Sequence, residues 1–144
     1  MCFSPTASFA TAAATGVVGL LCLRRIQDWR EAPLAATPLF FALQQGVEGL
    51  LWLCPPAALG GRLPDAPTLT YLILAQCFWP VFAPVAVILA EPLPGRRRLM
   101  APWLAVGATV AGFLLWNLLG GAYAGQALGG HLVYRTPHAF GTAV

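Results

Sequence analysis

Four long apolar runs constrain the fold of this chain more than any other feature. They cover residues 7–23, 34–53, 69–89 and 100–119. As helices these runs would be roughly 25–30 Å long, about the thickness of one hydrocarbon core. A closed β-barrel also satisfies its backbone groups in lipid, but it needs alternating strands, and these runs do not alternate. The sequence therefore predicts an all-α integral membrane bundle of four transmembrane helices, forming one domain over residues 1–144.

The scarcity of charge supports the same fold class. Only 9% of the residues are charged and 58% are hydrophobic, whereas a soluble domain carries about 25% charged residues. A soluble fold could not cover its surface with so few charges. The net charge of +3, from eight arginines and no lysine, is too small for a nucleic-acid surface. The lipid bilayer is the expected partner, and no nucleic acid is expected.

The arginines predict the orientation in the membrane. Six of the eight fall in the first and third connections: Arg24, Arg25, Arg30, Arg96, Arg97 and Arg98. The second connection carries only Arg62, and the tail only Arg135. Because positive charge marks the cytoplasmic side, both termini and the second connection are predicted to lie outside.

Two prolines interrupt the third apolar run. Pro80 and Pro84 each remove a backbone hydrogen bond, so the sequence predicts a bend near the middle of that helix. After the fourth run, the chain is glycine-rich and too short for a fifth span, so a short C-terminal tail is expected.

Polar residues inside the apolar runs fall at one depth. Glu48 lies five residues before the outer end of the second helix, and Gln44 and Trp52 lie one turn to either side of it on the same face. On the predicted topology, Gln76 and Asn117 also fall in the outer half. The sequence therefore predicts a buried polar site with Glu48, Gln44, Gln76 and Asn117 as ligand-binding candidates.

Glu48 should not face lipid. An ionised carboxylate at mid-depth costs ~3 kcal/mol or more, so Glu48 is expected to face the bundle interior, within hydrogen-bonding reach of a polar group. Two interpretations stay open. Glu48 is either a site residue or a structural residue, since polar side chains often act only as contacts between membrane helices. For Gln45 alone the structural interpretation is favoured.

The sequence leaves the cofactor unknown, and a metal ion is the one that its residues suggest. Cys2 and His131 are both predicted on the outer side, near Glu48, and Cys2, Glu48 and His131 are the metal-ligand candidates. The alternative for His131 is a merely hydrogen-bonded histidine. The four cysteines form no CxxC pair, which excludes a zinc ribbon.

Several blocks of the chain resemble one family. The opening MCFSPTASF is similar to the Met-Cys-Phe-Ser-x-x-Ala-Ser-Phe start of a group of bacterial polytopic membrane proteins, domain of unknown function family 6629. Three further blocks fit it: PLFFALQQGVEGLLWL (38–53), AQCFWPVFAPVAVILAEP (75–92) and GGHLVY (129–134).

The resemblance implies a helical membrane fold in a bacterial cytoplasmic (inner) membrane, and it implies no activity. Members of the family continue with further helices after the His-x-x-Tyr block. The resemblance therefore implies a C-terminally shortened chain, in which a site that needs those helices would be incomplete.

Two main functions compete on the sequence. The first is a membrane-embedded site that binds a metal or small ligand, and whether it is also enzymatic stays open. The second is a non-catalytic accessory or structural subunit of a larger membrane complex, or a homo-oligomer. Transport is a third reading, which would need oligomerisation because four helices leave little room for a pathway.

Overall fold

The helices of the chain form one up-and-down bundle. The computed structural model describes residues 4–53, 66–120, 124–128 and 131–135. Its α-helices are α1 (Pro5–Leu23), α2 (Ala32–Leu53), α3 (Ala66–Leu72), α4 (Trp79–Ala90) and α5 (Pro94–Gly120). A π-helical turn, Ile73–Phe78, joins α3 to α4, so that they form one continuous rod. The predicted all-α bundle of four long helices is thus confirmed.

Among the described residues, three of the four long helices are both long enough and apolar enough to cross a membrane. They are Pro5–Leu23, Ala66–Ala90 and Pro94–Gly120. The 22-residue helix α2 is not among them, although it is long enough. Its two glutamines and its glutamate lower the hydropathy of the apolar run in which they lie. The polar residues that suggested a site therefore also set α2 apart from the other helices.

Small residues bring α1 and α2 together. The N-cap Ser4 accepts a hydrogen bond from Ala7 N (3.2 Å), and Pro5 begins α1. A Cβ built on Gly19 would lie 2.6 Å from Leu39 Cγ. One built on Gly49 would lie 2.7 Å from the ring of Phe9. The residue numbers in each facing pair sum to 58, which is the signature of two antiparallel helices in constant register.

Helices α4 and α5 approach each other still more closely. A Cβ built on Gly107 would lie only 1.9 Å from the carbonyl oxygen of Pro80. Since Cβ stands about 1.5 Å from Cα, that oxygen is at most about 3.4 Å from Gly107 Cα, the range of a Cα–H···O contact. Pro84 has no N–H to offer Pro80 O within the helix. The Pro80 carbonyl that faces Gly107 therefore lacks its usual donor in the helix, because the residue four places on is a proline.

The arginines of the first and third connections lie at one end of the bundle, because the turn Trp29–Glu31 before α2 contacts α4. Glu91 is the C-cap of α4, with its backbone N–H donating to Val87 O, and its carboxylate accepts from Leu93 N (3.1 Å) and pairs with Arg96 at 3.6 Å. Helix α5 begins at Pro94, so Arg96 and its two following arginines lie on its first turns and not in a loop. We call this the arginine end, and we call the half of the bundle opposite to it the distal half.

The two halves of the bundle have different cores. The largest fully buried side chains all lie in the distal half: Leu51, Leu118, Glu48, Thr68 and Ser8. Towards the arginine end the buried positions are the small residues Gly19 and Ala86. The distal half therefore holds the larger buried side chains, including the carboxylate, although α1 and α2 also pack closely there at Gly49.

The C-terminal tail forms a hairpin, where the sequence predicted only a short tail. Strand β1 (Ala124–Leu128) pairs antiparallel with β2 (His131–Arg135), and Leu128 lies opposite His131. In the sequence Gly129 and Gly130 separate the strands, and a two-residue Gly-Gly connection is a common hairpin signal.

Candidate functional site

Glu48 lies inside the bundle. Its relative exposure is 1%, although it is one of the most polar residues of the chain. Gln45 Nε2 donates a hydrogen bond to Glu48 Oε2 at 3.1 Å. The two residues are three apart on α2, so they are neighbours on its surface. Glu48 was expected to avoid the apolar exterior, and its burial agrees with that expectation. Its described hydrogen bond comes from Gln45, whereas the amides named in the predicted site were Gln44, Gln76 and Asn117.

Gln44 makes a different contact from the one expected. Its Oε1 accepts a hydrogen bond from Trp79 Nε1 at 2.7 Å. The indole ring of Trp79 also stacks on Phe41, with ring centroids 4.4 Å apart. Because a buried indole N–H needs an acceptor, Gln44 fixes α2 against α4 one turn below Glu48. Gln44 is thus a positioning contact next to the glutamate.

The sequence analysis missed the role of Trp79. Trp79 lies near the middle of the 25-residue rod Ala66–Ala90. That central position was the available signal, since interfacial tryptophans lie at the ends of spans. A tryptophan in mid-span needs a hydrogen-bond acceptor inside the bundle, and Gln44 is that acceptor.

Gln76 does not join the buried cluster. Its side chain is exposed, whereas its neighbour Cys77 is buried. In a regular α-helix, the residue four places after the buried Leu72 would share its face, and that residue is Gln76. The π turn instead brings the residue five places on, Cys77, to the core. The expectation that Gln76 contributes to a buried site is therefore corrected.

The π turn has a local cause in the sequence. It ends at Phe78, two residues before Pro80. In a regular α-helix the ring of Pro80 would meet the carbonyl of Gln76. A wider turn relieves that clash.

Two buried hydroxyl residues were also missed. Ser8 on α1 and Thr68 on α3 are both 0% exposed. The register between α1 and α2 places Ser8 at the level of Leu50, two residues from Glu48. Ser8 Oγ donates to Ser4 O at 3.3 Å. Thr68 lies two residues into α3, at the same end of the bundle. Each is one of several serine and threonine residues in its helix, and nothing in the sequence singles out the buried one.

Trp52 brings a buried donor to the same region. It lies one turn from Glu48 towards the distal end of α2, on the predicted common face. Its Nε1 is buried and has no hydrogen-bond partner among the described residues. A buried indole N–H normally has an acceptor. Trp52 Nε1 is therefore a buried donor with unused capacity, one turn from Glu48 along α2.

The remaining candidates are less informative. Asn117 lies beside the buried Leu118 and donates to Phe113 O at 2.8 Å, within its own helix. His131 begins β2, but its side chain, like the whole of Cys2, lies outside the described residues. Within the described ranges, no three His, Cys, Asp or Glu side chains are grouped closely enough to hold a metal ion.

The arrangement combines an acceptor and a donor in an apolar surrounding. Glu48 supplies a carboxylate, Gln45 orients one of its oxygens, and Trp52 supplies an N–H one turn away. A carboxylate in a low-dielectric site interacts strongly with any cationic group that reaches it.

Comparison with known proteins places the chain in a family without assigning an activity. The model of a family of unknown function, DUF6629, matches residues 1–139. No curated protein and no solved structure matches the chain significantly.

Proposed function

Because the chain belongs to DUF6629, a family of unknown function, we propose a role from its own geometry: it is an integral protein of the bacterial inner membrane that binds a metal ion or small cationic ligand at Glu48. The single observation that carries the binding role is the burial of Glu48, at 1% exposure, in the half of the bundle that holds the largest buried side chains.

The surface of the bundle supports the membrane location. Large apolar side chains are exposed on every long helix, for example Val17 (58%), Leu43 (53%) and Phe113 (55%). A monomeric soluble protein rarely exposes apolar patches of this extent. The arginine end carries Trp29 and Trp103, exposed at 69% and 67%, as expected for an aromatic belt at an interface.

The orientation can be tested by cysteine labelling. In a chain whose four native cysteines are replaced, we expect Arg62→Cys to react with a membrane-impermeant maleimide added outside intact cells. Arg98→Cys should react only after the membrane is opened, because positive charge is retained on the cytoplasmic side. The opposite pattern would refute the proposed topology.

The contacts around Glu48 support a site that is preorganised. Gln45 holds the carboxylate, and the Gln44–Trp79 bond fixes the same helix one turn away. A buried carboxylate costs free energy unless it is neutralised, paired or hydrogen-bonded. The residue at this position is a carboxylate and not an amide, which favours a role that uses its charge or its proton.

Substitution of Glu48 tests the binding role. With ZnCl₂ or ethylammonium chloride as probe at about 100 times its Kd, binding stabilises the folded protein by about 2.7 kcal/mol. For a chain of this size that raises Tm by on the order of 10 °C. We expect the purified protein in detergent to show this rise with at least one probe, and Glu48→Gln to lose it.

Glu91→Gln is the matched control. Glu91 is also a mostly buried glutamate, with 11% of its side chain exposed, but it lies at the arginine end. Its variant should keep the full rise in Tm with the same probe. Equal rises in the wild type and in Glu48→Gln, or no rise with either probe, would overturn the binding role. Circular dichroism of Glu48→Gln should show the same helical content as the wild type, as a control that the variant is folded.

The second candidate function is a non-catalytic subunit of a membrane assembly. The exposed amide of Gln76, near the middle of an apolar rod, favours it. Glutamine preserves the shape of Glu48 and its capacity to accept a hydrogen bond. A purely structural subunit should therefore tolerate Glu48→Gln, with unchanged stability and assembly.

A further inference from the structure

We propose that the face of the α3–α4 rod carrying Gln76 is a dimer interface, on which a second copy of this chain docks so that the two Gln76 amides pair across a two-fold axis. This inference rests on the proposed membrane location, since an exposed amide is unremarkable in water. It does not depend on the binding role of Glu48.

Gln76 lies deep in the proposed span. It is the eleventh of the 25 residues in the rod Ala66–Ala90, about 3 Å from the midpoint. Its side chain is exposed. It makes no hydrogen bond to another residue in the described part of the chain. In hydrocarbon an amide without a partner is costly, because lipid offers no hydrogen bonds. Such an amide is satisfied when another helix covers it.

The π turn is what places this amide on the outside. It brings Cys77 to the core in place of Gln76, which then lies on the outer face with two residues further along the rod. Ala83 and Val87 are the exposed residues seven and eleven places after Gln76, so the three lie along one face of the helix. Ala83 is small, which permits the close approach that an amide–amide bond requires, and Val87 adds apolar contact area further along the face.

A second copy is the occupant that this face fits best. A glutamine amide carries two donors and an acceptor with two lone pairs, so it is complementary to itself. In a two-fold dimer each residue near the axis faces its own copy. Two Gln76 side chains can therefore exchange reciprocal hydrogen bonds, with the alanine and valine packing around them. The face carries no charged side chain among its three members, so it offers nothing that would select a charged partner.

Disulfide cross-linking in native membranes tests the dimer. The chain is made free of its four native cysteines, and Ala83→Cys is introduced on the proposed interface. The matched control is Val110→Cys, which is also exposed near mid-span, but on α5. After oxidation we expect a homodimer band for Ala83→Cys and not for Val110→Cys.

The amide is then changed in the Ala83→Cys background. Gln76→Leu should weaken dimerisation about tenfold, the loss expected for an interhelical hydrogen bond of this kind. Gln76→Asn, which keeps an amide, should retain most of the cross-linked product. A leucine at this position suits lipid, so loss of the dimer would not reflect a failure to insert.

Three results would overturn the dimer. The first is equal cross-linking at positions 83 and 110, the second is unchanged cross-linking with Gln76→Leu, and the third is an adduct of Ala83→Cys with a different protein. Extraction of the membranes with alkaline carbonate separates this failure from failure of the membrane proposal. A chain released by carbonate refutes the membrane location, whereas a retained chain that does not cross-link refutes only the dimer.

Discussion

Gly107→Ala is expected to lower the free energy of unfolding by about 3 kcal/mol, at the upper end of the usual cost of overpacking. The added Cβ would lie 1.9 Å from the carbonyl oxygen of Pro80. That atom belongs to the backbone of α4, so no side-chain rotation can relieve the contact, and the two helices must separate. Thermal unfolding in detergent should show Tm lower by on the order of 10 °C.

Gly112→Ala is the matched control for Gly107. It changes the same residue type in the same helix, at a position where an added Cβ meets nothing within 4 Å. Alanine forms helices better than glycine, so this variant should be as stable as the wild type or more stable by up to about 1 kcal/mol. If Gly107→Ala were as stable as Gly112→Ala, the close packing of α4 against α5 would be wrong.

Gly19→Ala is expected to destabilise the chain by about 2 kcal/mol. Its Cβ would lie 2.6 Å from Leu39 Cγ and 2.9 Å from Leu39 N. The leucine side chain can move, but the backbone nitrogen moves only if α1 and α2 shift apart. The cost is therefore smaller than at Gly107, where the closest contact is itself backbone. The measurement is again the Tm of the purified protein.

Gly46→Ala supplies the comparison for Gly19. Gly46 lies on α2, and a Cβ there meets nothing within 4 Å. We expect no loss of stability from this variant. A Tm for Gly19→Ala within about 2 °C of the Gly46→Ala value would contradict the register in which facing residue numbers of α1 and α2 sum to 58.

The constant register also links stability to the site. The pair Gly49–Phe9 lies next to Glu48, and the pair Gly19–Leu39 lies near the arginine end of the same two helices. Close packing at one end fixes the depth of every residue along α1 relative to α2. Ser8 and Glu48 are therefore held at nearly the same level along the bundle. Some of the contacts that hold them lie at the other end of the α1–α2 pair.

The sequence by itself determined the helices and the placement of Glu48. An apolar run of about 20 residues can satisfy its backbone in lipid only as a helix, so the length of each run predicts a helix directly. The cost of a carboxylate facing lipid depends on residue type and depth alone. Both arguments need no knowledge of neighbouring helices, and the all-α bundle and the burial of Glu48 agree with them.

Only the tertiary structure decided which polar residues meet. The α-helical period places Gln76 in line with Leu72, and a single wider turn before Pro80 exchanges it for Cys77. A hydrogen bond such as Gln44–Trp79 joins residues 35 apart, and its existence depends on the rotation of two helices about their axes. A shift of one residue rotates a helix by about 100°, enough to move a side chain from the core to the surface. Run lengths and charge counts are unchanged by that rotation, which is why they do not determine it.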